Sequence, residues 1–220
     1  MTIATPESSP GLADRFATQR FTMHDVPWAA YESIVAALGD RRRVFVTYNR
    51  GTMSPSPEHE RIGWVLARLI QSYTEVKRIP LLSLGMATWR RPAERGLEAD
   101  QCFYIRNAPR MRSRVRTRTP IDLAIDPPPD LAIEVDLSRS SADKEDTYAG
   151  LGVPELWRYE YDGRVTVLRL AGERYVVAPA SATFPDLPMA DVTAWVEPGL
   201  DMDETEFALA FRQWAEGRAG

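Results

Sequence analysis

Cysteine is nearly absent from this sequence, and Cys102 is the only one in 220 residues. A single cysteine excludes both an intramolecular disulfide and a cysteine-rich zinc module. Chains without disulfides are typical of reducing compartments, so we expect a cytoplasmic protein. The sequence pattern offers Cys102 no evident base partner, which predicts a buried structural thiol and not a nucleophile.

Long apolar runs and an excess of positive charge are also missing. No segment approaches the roughly 18 consecutive apolar residues that a membrane span needs, so no membrane partner is expected. The polar start of the chain lacks the apolar region of a signal peptide. The formal net charge is −4. Such a chain has no overall attraction to nucleic acid, and a nucleic-acid partner must be bound by a local patch.

Hydrophobic residues make up 44% of the chain, which is enough to bury one sizeable core. The patterns predict a helix, antiparallel strands, a second helix and further strands. This order is typical of a single α/β (or α+β) domain with a mixed central sheet flanked by helices. The predicted organisation is a flexible arm at 1–20, the domain at 21–200 and a C-terminal helix at 201–220.

Two helices are predicted in the first third of the chain. The segment 25–40 offers an N-cap, a proline in its first turn and a terminal glycine. The segment 54–76 carries apolar residues at helical spacing over about five turns. A strand is predicted between them, in RVFVTYNR.

One apolar segment, LAIEV at 131–135, contains a glutamate. Its prolines and β-branched residues predict a central strand covered on both faces. Side chains alternate along a strand, which divides this segment into an apolar set (Leu131, Ile133, Val135) and an opposite set (Ala132, Glu134, Asp136). An ionised carboxylate on a covered face is costly unless it is paired or bound to a cation.

The preceding predicted strand, GLEADQCFYI, repeats this pattern, with Glu98, Asp100 and Cys102 on one face. Carboxylates on neighbouring strands make an oxygen-rich pocket, which suits a hard divalent cation such as Mg²⁺. Lys144 follows in the first turn of the next predicted helix. Spacing alone leaves two structural alternatives open: Glu134 pairs with a buried arginine, or its strand is an edge strand with Glu134 in water.

Four segments resemble the Uma-type family of restriction endonuclease-like proteins, which belongs to the PD-(D/E)XK nuclease superfamily. They are EADQCFYI, PPDLAIEVDLSRSS, DKEDTYAGLGVPELWRY and, upstream, MSPSPEHE. The resemblance covers roughly residues 25–180. It implies a restriction-endonuclease-like core, to which the sequence adds a β-meander at 154–178 and the C-terminal helix.

Site residues follow from the resemblance. It implies that Asp100, Glu134 and the backbone carbonyl of Val135 bind Mg²⁺ or Mn²⁺. The superfamily's lysine usually lies two residues after the second acid, where this chain has Asp136. Lys144 occupies the family's place for a lysine on the following helix, and it would polarise the attacking water.

The implied activity is metal-dependent phosphodiester hydrolysis of nucleic acid, with DNA as the expected substrate. Asp100, Glu134 and Lys144 would be its catalytic residues. The alternative is a nuclease fold that has lost catalysis and serves as a nucleic-acid-binding or scaffolding module. The replacement of the usual lysine by Asp136 favours this alternative.

Three further features have two interpretations each. The arginines at 106–118, in a predicted loop or edge, would clamp phosphates or pair with surface acids. His59, where the resemblance places a histidine, would orient a catalytic group or serve the structure alone. The stripe of Phe207, Phe211 and Trp214 would pack within the domain or across a homodimer.

Overall fold

The computed structural model describes residues 26–38, 57–85, 88–91, 95–117, 121–136 and 142–218. The arm predicted at 1–20 and the strand predicted in RVFVTYNR lie outside these ranges.

Helices and strands alternate along the described chain. The helices are α1 (Trp28–Leu38), α2 (Pro57–Lys77), α3 (Ala108–Arg116), α4 (Ala142–Leu151), α5 (Met189–Asp201) and α6 (Glu204–Gly217). The strands are β1 (Leu82–Ser83), β2 (Thr88–Arg91), β3 (Arg95–Glu98), β4 (Gln101–Tyr104), β5 (Leu131–Asp136), β6 (Glu155–Glu160), β7 (Val165–Ala171) and β8 (Arg174–Ala178).

Six of the strands form one mixed sheet in the order β1-β4-β5-β6-β7-β8, and β2 pairs with β3 in a separate hairpin. Within the sheet β5 and β6 are parallel, and the other neighbours are antiparallel. A parallel pair needs a crossover connection, which α4 supplies. The predicted mixed α/β architecture is confirmed, and it is consistent with a restriction-endonuclease-like fold.

The central strand β5 is buried on both faces, as its sequence predicts. Leu131, Ile133 and Val135 join the core beneath α2, α5 and α6. Ala132 joins a second core on the opposite face, which includes Tyr148 of α4. Glu134 shares the face of Ala132 because side chains alternate along a strand. The glutamate therefore lies under α4.

The C-terminal helices α5 and α6 pack against α2. Phe207 and Phe211 are fully buried, and the Phe211 ring stacks on Trp214 with 4.9 Å between centroids. The close fit requires Gly199 of α5, because a Cβ there would come within 2.6 Å of the Phe207 ring. The aromatic stripe thus packs within the domain, and the homodimer interpretation is not needed to explain it.

Three segments differ from the sequence predictions. The arginine-rich segment is a helix, α3, because Ala108 and Met111 are buried at helical spacing and proline is accepted in its first turn. The sequence predictions contain no helix at 189–201, where α5 forms with Pro198 inside it. The strand containing Glu98 ends there, so Asp100 belongs to a turn before β4 and does not share a strand with Glu98.

None of the helices in the described ranges combines the length and the apolar character needed to cross a membrane.

Candidate active site

The candidate site lies where β4 begins and β5 ends. The two strands are antiparallel, with Gln101 opposite Ile133. Continuing this register by one step brings Asp100 opposite Glu134. The turn before β4 and the end of β5 thus bring the two acids predicted from the sequence to the same place.

Asp100 reaches across to the backbone of β5. Its Oδ2 accepts a hydrogen bond of 2.7 Å from the backbone N–H of Val135 and lies 2.9 Å from Nε2 of His59. Burial opposes ionisation of this carboxyl group, but the His59 bond, the charge of Lys144 and the Val135 amide outweigh it and lower the pKa of Asp100. Asp100 is therefore ionised at neutral pH and held against β5.

Glu134 is bound at both carboxylate oxygens by α4. The Lys144 ammonium contacts Oε1, and the Tyr148 hydroxyl donates a hydrogen bond of 2.5 Å to Oε2. Lys144 and Tyr148 are four residues apart, so they lie on the same helix face. The side chain of Glu134 is only 2% exposed. Both structural alternatives for Glu134 are wrong, because its cationic partner here is a lysine and its strand is central.

The two α4 residues that hold Glu134 differ in their charge. Burial lowers the pKa of Lys144, although the negative charge of Asp100 opposes this shift. Burial, with Asp100 as a further cause, raises the pKa of Tyr148 well above its usual value. Tyr148 is therefore a neutral donor, and Lys144 is a cation that gives up its proton more readily than an exposed lysine.

His59 belongs to the first turn of α2, on the other side of the sheet from α4. Burial disfavours its charged form, but hydrogen bonds to Asp100 and Glu60 outweigh burial and raise the pKa of His59 to about 9. The Nδ1 to Oε1 distance to Glu60 is 3.4 Å, longer than the contact with Asp100. The structure brings His59 to the acids, a position that the sequence left open.

Two other residues of the predicted acid faces have different surroundings. Cys102 is fully buried, and its thiol donates a hydrogen bond of 3.3 Å to the carbonyl of Gly85. This contact agrees with the structural thiol expected from the sequence. Asp136 is the last residue of β5, half-buried and opposite Glu160, and its charge acts on Glu145 of α4.

The arginines of 106–118 begin at the far end of β5 from the acids. Arg106 pairs with Asp130, with 3.4 Å from Nε to Oδ1. Asp130 precedes Glu134 by four residues, which corresponds to about 13 Å along a strand. Arg110 donates to the carbonyl of Ile125 at 2.6 Å.

The remaining arginines of this run divide into two groups. Arg114 binds both carboxylate oxygens of the buried Asp126 at 2.9 Å. Arg112 and Arg116 are exposed, one helical turn apart, and form no ion pair with a described residue. Arg118 lies outside the described residues. The run is therefore partly structural, and Arg112 and Arg116 are the exposed members that pair with no described acid.

The predicted divalent cation would need oxygen donors from Asp100, Glu134 and Val135. Among described residues, no group of three or more His, Cys, Asp or Glu side chains is arranged as a metal site. Asp100, Glu134 and the Val135 carbonyl are hard oxygen donors, which Mg²⁺ prefers. The positive charges of Lys144 and His59 already compensate these acids. The chemistry of these donors suits a divalent cation, which would compete with Lys144 for an oxygen of Glu134.

Tyr148 is the site residue to which sequence reasoning gave no role. It follows Lys144 by one helical turn, and that spacing was the available signal. A tyrosine on the buried face of a helix is more simply explained by core packing, which its full burial also provides. Only the contact with Glu134 distinguishes the two roles.

The comparison with protein families agrees with this geometry. The family model of Uma2, described as "Putative restriction endonuclease", matches residues 28–202. The match spans most of the chain and confirms the family resemblance drawn from the sequence segments. No curated protein matches the chain.

Proposed function

Because the chain belongs to the Uma2 family, whose description names a restriction endonuclease, we propose that it is a metal-dependent nuclease that cleaves DNA. The observation that carries the proposal is the meeting of two acids and a lysine. Asp100 is bonded to the β5 backbone beside Glu134, and Glu134 is bound to Lys144.

We assign the cation to the two carboxylates and the adjacent carbonyl. Asp100, Glu134 and the Val135 carbonyl would hold Mg²⁺ or Mn²⁺. When bound, the cation supplies positive charge against the charge that develops on the phosphate oxygens. His59 keeps Asp100 in place from α2, and Tyr148 keeps Glu134 in place from α4.

Lys144 orients and polarises the attacking water in this proposal. Its ammonium contacts Glu134 although it comes from α4 and not from the Glu134 strand. A lysine on α4 can act like a lysine on the strand, because its effect on the water depends on where the ammonium lies and not on which element carries it. The burial that lowers the pKa of Lys144 also makes its ammonium a better proton donor than that of an exposed lysine.

A second candidate function is a nucleic-acid-binding module without catalysis. Asp136 replaces the lysine that follows the second acid in the superfamily, and this replacement favours the second candidate. In addition, both oxygens of Glu134 are engaged by side chains of α4. A cation would have to compete with these contacts for the oxygens of Glu134.

Calorimetry with Mn²⁺ and cleavage assays on plasmid DNA and on RNA test these functions together. We expect the wild type to bind Mn²⁺ and cleave DNA, and Glu134→Gln to lose both properties. The matched control is Glu173→Gln, which removes one negative charge at the exposed turn between β7 and β8. It should change neither.

Two results would contradict the proposal. A wild type that binds Mn²⁺ but cleaves neither DNA nor RNA would favour the binding module. If the wild type binds no divalent cation, Asp100 and Glu134 have a structural role only.

A further inference from the structure

The first turn of α4 is attached to two neighbouring strands by two consecutive residues. Lys144 binds Glu134 on β5, and Glu145 binds Arg158 on β6. The two ion pairs have opposite polarity: the helix presents a cation to β5 and an anion to β6. The segment before α4, residues 137–141, lies outside the described ranges.

Arg158 is the direct neighbour of Glu134 in the sheet. The parallel register of β5 and β6 pairs Glu134 with Arg158, so both side chains point to the face covered by α4. Arg158 nevertheless binds Glu145 and Glu160, with 2.9 Å from Nη2 to Oε1 of Glu160. Its side chain is 18% exposed. The guanidinium is thus held away from the nearest buried carboxylate by two others.

Apolar packing anchors α4 mainly through its second half. Tyr148 and Leu151 are buried in the core under the helix. In the first turn, Lys144 and Glu145 are half-buried, and Asp146 is exposed. The placement of the Lys144 ammonium therefore depends on polar contacts more than on packing.

We propose that Arg158 and Glu145 are positioning residues, whose ion pair places the Lys144 ammonium on Glu134 and keeps Arg158 off that carboxylate. This inference rests on the proposed function, since it concerns the same site. It assigns a role to two residues that neither the family match nor the sequence pattern singles out.

The opposite charges of Lys144 and Glu145 favour one rotational position of α4 on the sheet. Rotating α4 by one residue would bring Lys144 toward Arg158 in one direction, and Glu145 toward Glu134 in the other. Either contact would join like charges in a half-buried place, which is strongly unfavourable. The pair Arg158–Glu145 thus excludes the neighbouring arrangement in addition to stabilising the observed one.

Loss of Glu145 would also release a competitor for the site. Neighbouring strands are about 4.8 Å apart, so the guanidinium of Arg158 can reach Glu134 by a change of rotamer. A bidentate arginine would occupy both carboxylate oxygens of Glu134. Lys144 and a divalent cation would then have to compete with the guanidinium for Glu134.

The variant Glu145→Gln and the double variant Glu145→Gln/Arg158→Met test this inference by Mn²⁺ calorimetry. We expect Glu145→Gln to weaken Mn²⁺ binding by at least about tenfold, the scale for residues that orient metal ligands. The double variant Glu145→Gln/Arg158→Met should bind nearly as tightly as wild type, because the competing guanidinium is gone. Arg164→Met is the matched control: Arg164 also binds Glu160 but, among the described residues, forms no ion pair with α4. It should leave binding unchanged.

Lysine ammonium signals in NMR provide a readout that needs no cation. The chain has two lysines, Lys77 and Lys144, so ¹⁵N-lysine labelling gives two assignable ammonium groups. We expect the Lys144 signal to shift or broaden in Glu145→Gln and to return in the double variant. The Lys77 signal serves as the internal control, because Lys77 binds the carbonyl of Arg218 at the other side of the molecule.

The inference is overturned if the double variant is as impaired as Glu145→Gln in both readouts, since the pair would then contribute only to stability. It is also overturned if the Lys144 signal of Glu145→Gln equals that of wild type. If Glu145→Gln does not fold, Glu145→Asp replaces it, with a smaller shift in the same direction. A wild type that binds no Mn²⁺ refutes the proposed function, whereas the ammonium signals still decide the role of Arg158 and Glu145.

Discussion

His59 and Asp100 connect helix α2 to the acid pair of the sheet, with 2.9 Å between Nε2 and Oδ2. His59 extends from α2, in the helical layer that covers one face of the sheet, whereas α4 covers the other. The same Asp100 oxygen accepts the backbone N–H of Val135. The helix α2 thus fixes the orientation of an acid whose neighbour, Glu134, is fixed by α4.

Replacing His59 by glutamine should reduce cleavage by about 10- to 100-fold, the range found when a residue that orients a metal ligand is lost. The reason is that Asp100 would keep its bond to Val135 but lose the constraint from α2. Cleavage kinetics and Mn²⁺ calorimetry measure the effect. Glu60→Gln, which removes the longer contact with His59, is the control and should have a smaller effect. Equal losses in the two variants would contradict a specific role for the Asp100 contact.

Replacing Lys144 by alanine should reduce hydrolysis by at least about 100-fold, the scale for a positioned proton-transfer group. Mn²⁺ affinity should change far less, because lysine is not a ligand in the proposed site. Single-turnover cleavage and calorimetry separate the two quantities. Lys77→Ala, at the only other lysine, is the control. A Lys144→Ala protein that cleaves at the wild-type rate would show that another group activates the water.

Replacing Tyr148 by phenylalanine should lower the free energy of unfolding by about 1–3 kcal/mol, the cost of leaving a buried acceptor without its donor. The acceptor is Oε2 of Glu134, a buried carboxyl group that also pairs with Lys144. Tyr175→Phe is the control, because that hydroxyl donates to the neutral carbonyl of Val153. Urea denaturation compares the two. The prediction fails if Tyr148→Phe is no more destabilising than Tyr175→Phe.

Replacing Arg112 and Arg116 together by glutamine should weaken DNA binding for every sequence. The slope of log K against log salt concentration should also become shallower, by the amount expected for the loss of about two phosphate contacts. Both arginines are exposed on α3, so the fold should not change. Arg114→Gln is the contrasting variant, because Arg114 binds the buried Asp126 and should affect stability first. Filter binding over a range of salt concentrations is the measurement. An unchanged salt slope would identify the run as a structural and solvated helix.

Asp126 should make the stability of the protein depend on pH in the acid range. Burial raises the pKa of Asp126, but the backbone N–H of Asp122 and the guanidinium of Arg114 outweigh it and lower the pKa. A carboxyl group with a depressed pKa contributes stability above its ordinary pKa of about 4, and the contribution disappears as pH falls through the folded-state pKa.

The variant Asp126→Asn isolates that contribution. Its stability deficit relative to wild type should be full at neutral pH and should shrink as pH falls below about 4. Denaturant unfolding of both proteins along this pH range provides the comparison. A deficit that stays constant with pH would mean that the charge of Asp126 contributes nothing.

The strand β5 and the division of its side chains between two faces could be predicted from the sequence. A period of two, bounded by prolines, is local information, and the structure places Ala132 and Ile133 in opposite cores as expected. Asp100, Glu134 and Lys144 were identified by family resemblance, and they lie together in the structure. Their catalytic roles stay predictions.

Long-range packing explains what the sequence did not reveal. The arginines of α3 occupy every second position from Arg110 to Arg116, which imitates a strand, whereas its helical signal consists mainly of Ala108 and Met111. His59 was left open because its distance from Asp100 depends on how α2 packs on the sheet. The partner of Arg158 was unpredictable for the same reason, since it depends on the crossover of α4.

The sequence separation between the site residues has a consequence for the order of folding. Glu134, Lys144 and Tyr148 lie in the continuous unit β5–α4–β6, whose contacts span few residues and can form early. The bond from the Val135 amide to Asp100 instead closes a loop of 35 residues. Closing that loop costs entropy, so it follows the local contacts. Hydrogen exchange at this one amide would therefore report when β4 docks and the site becomes complete.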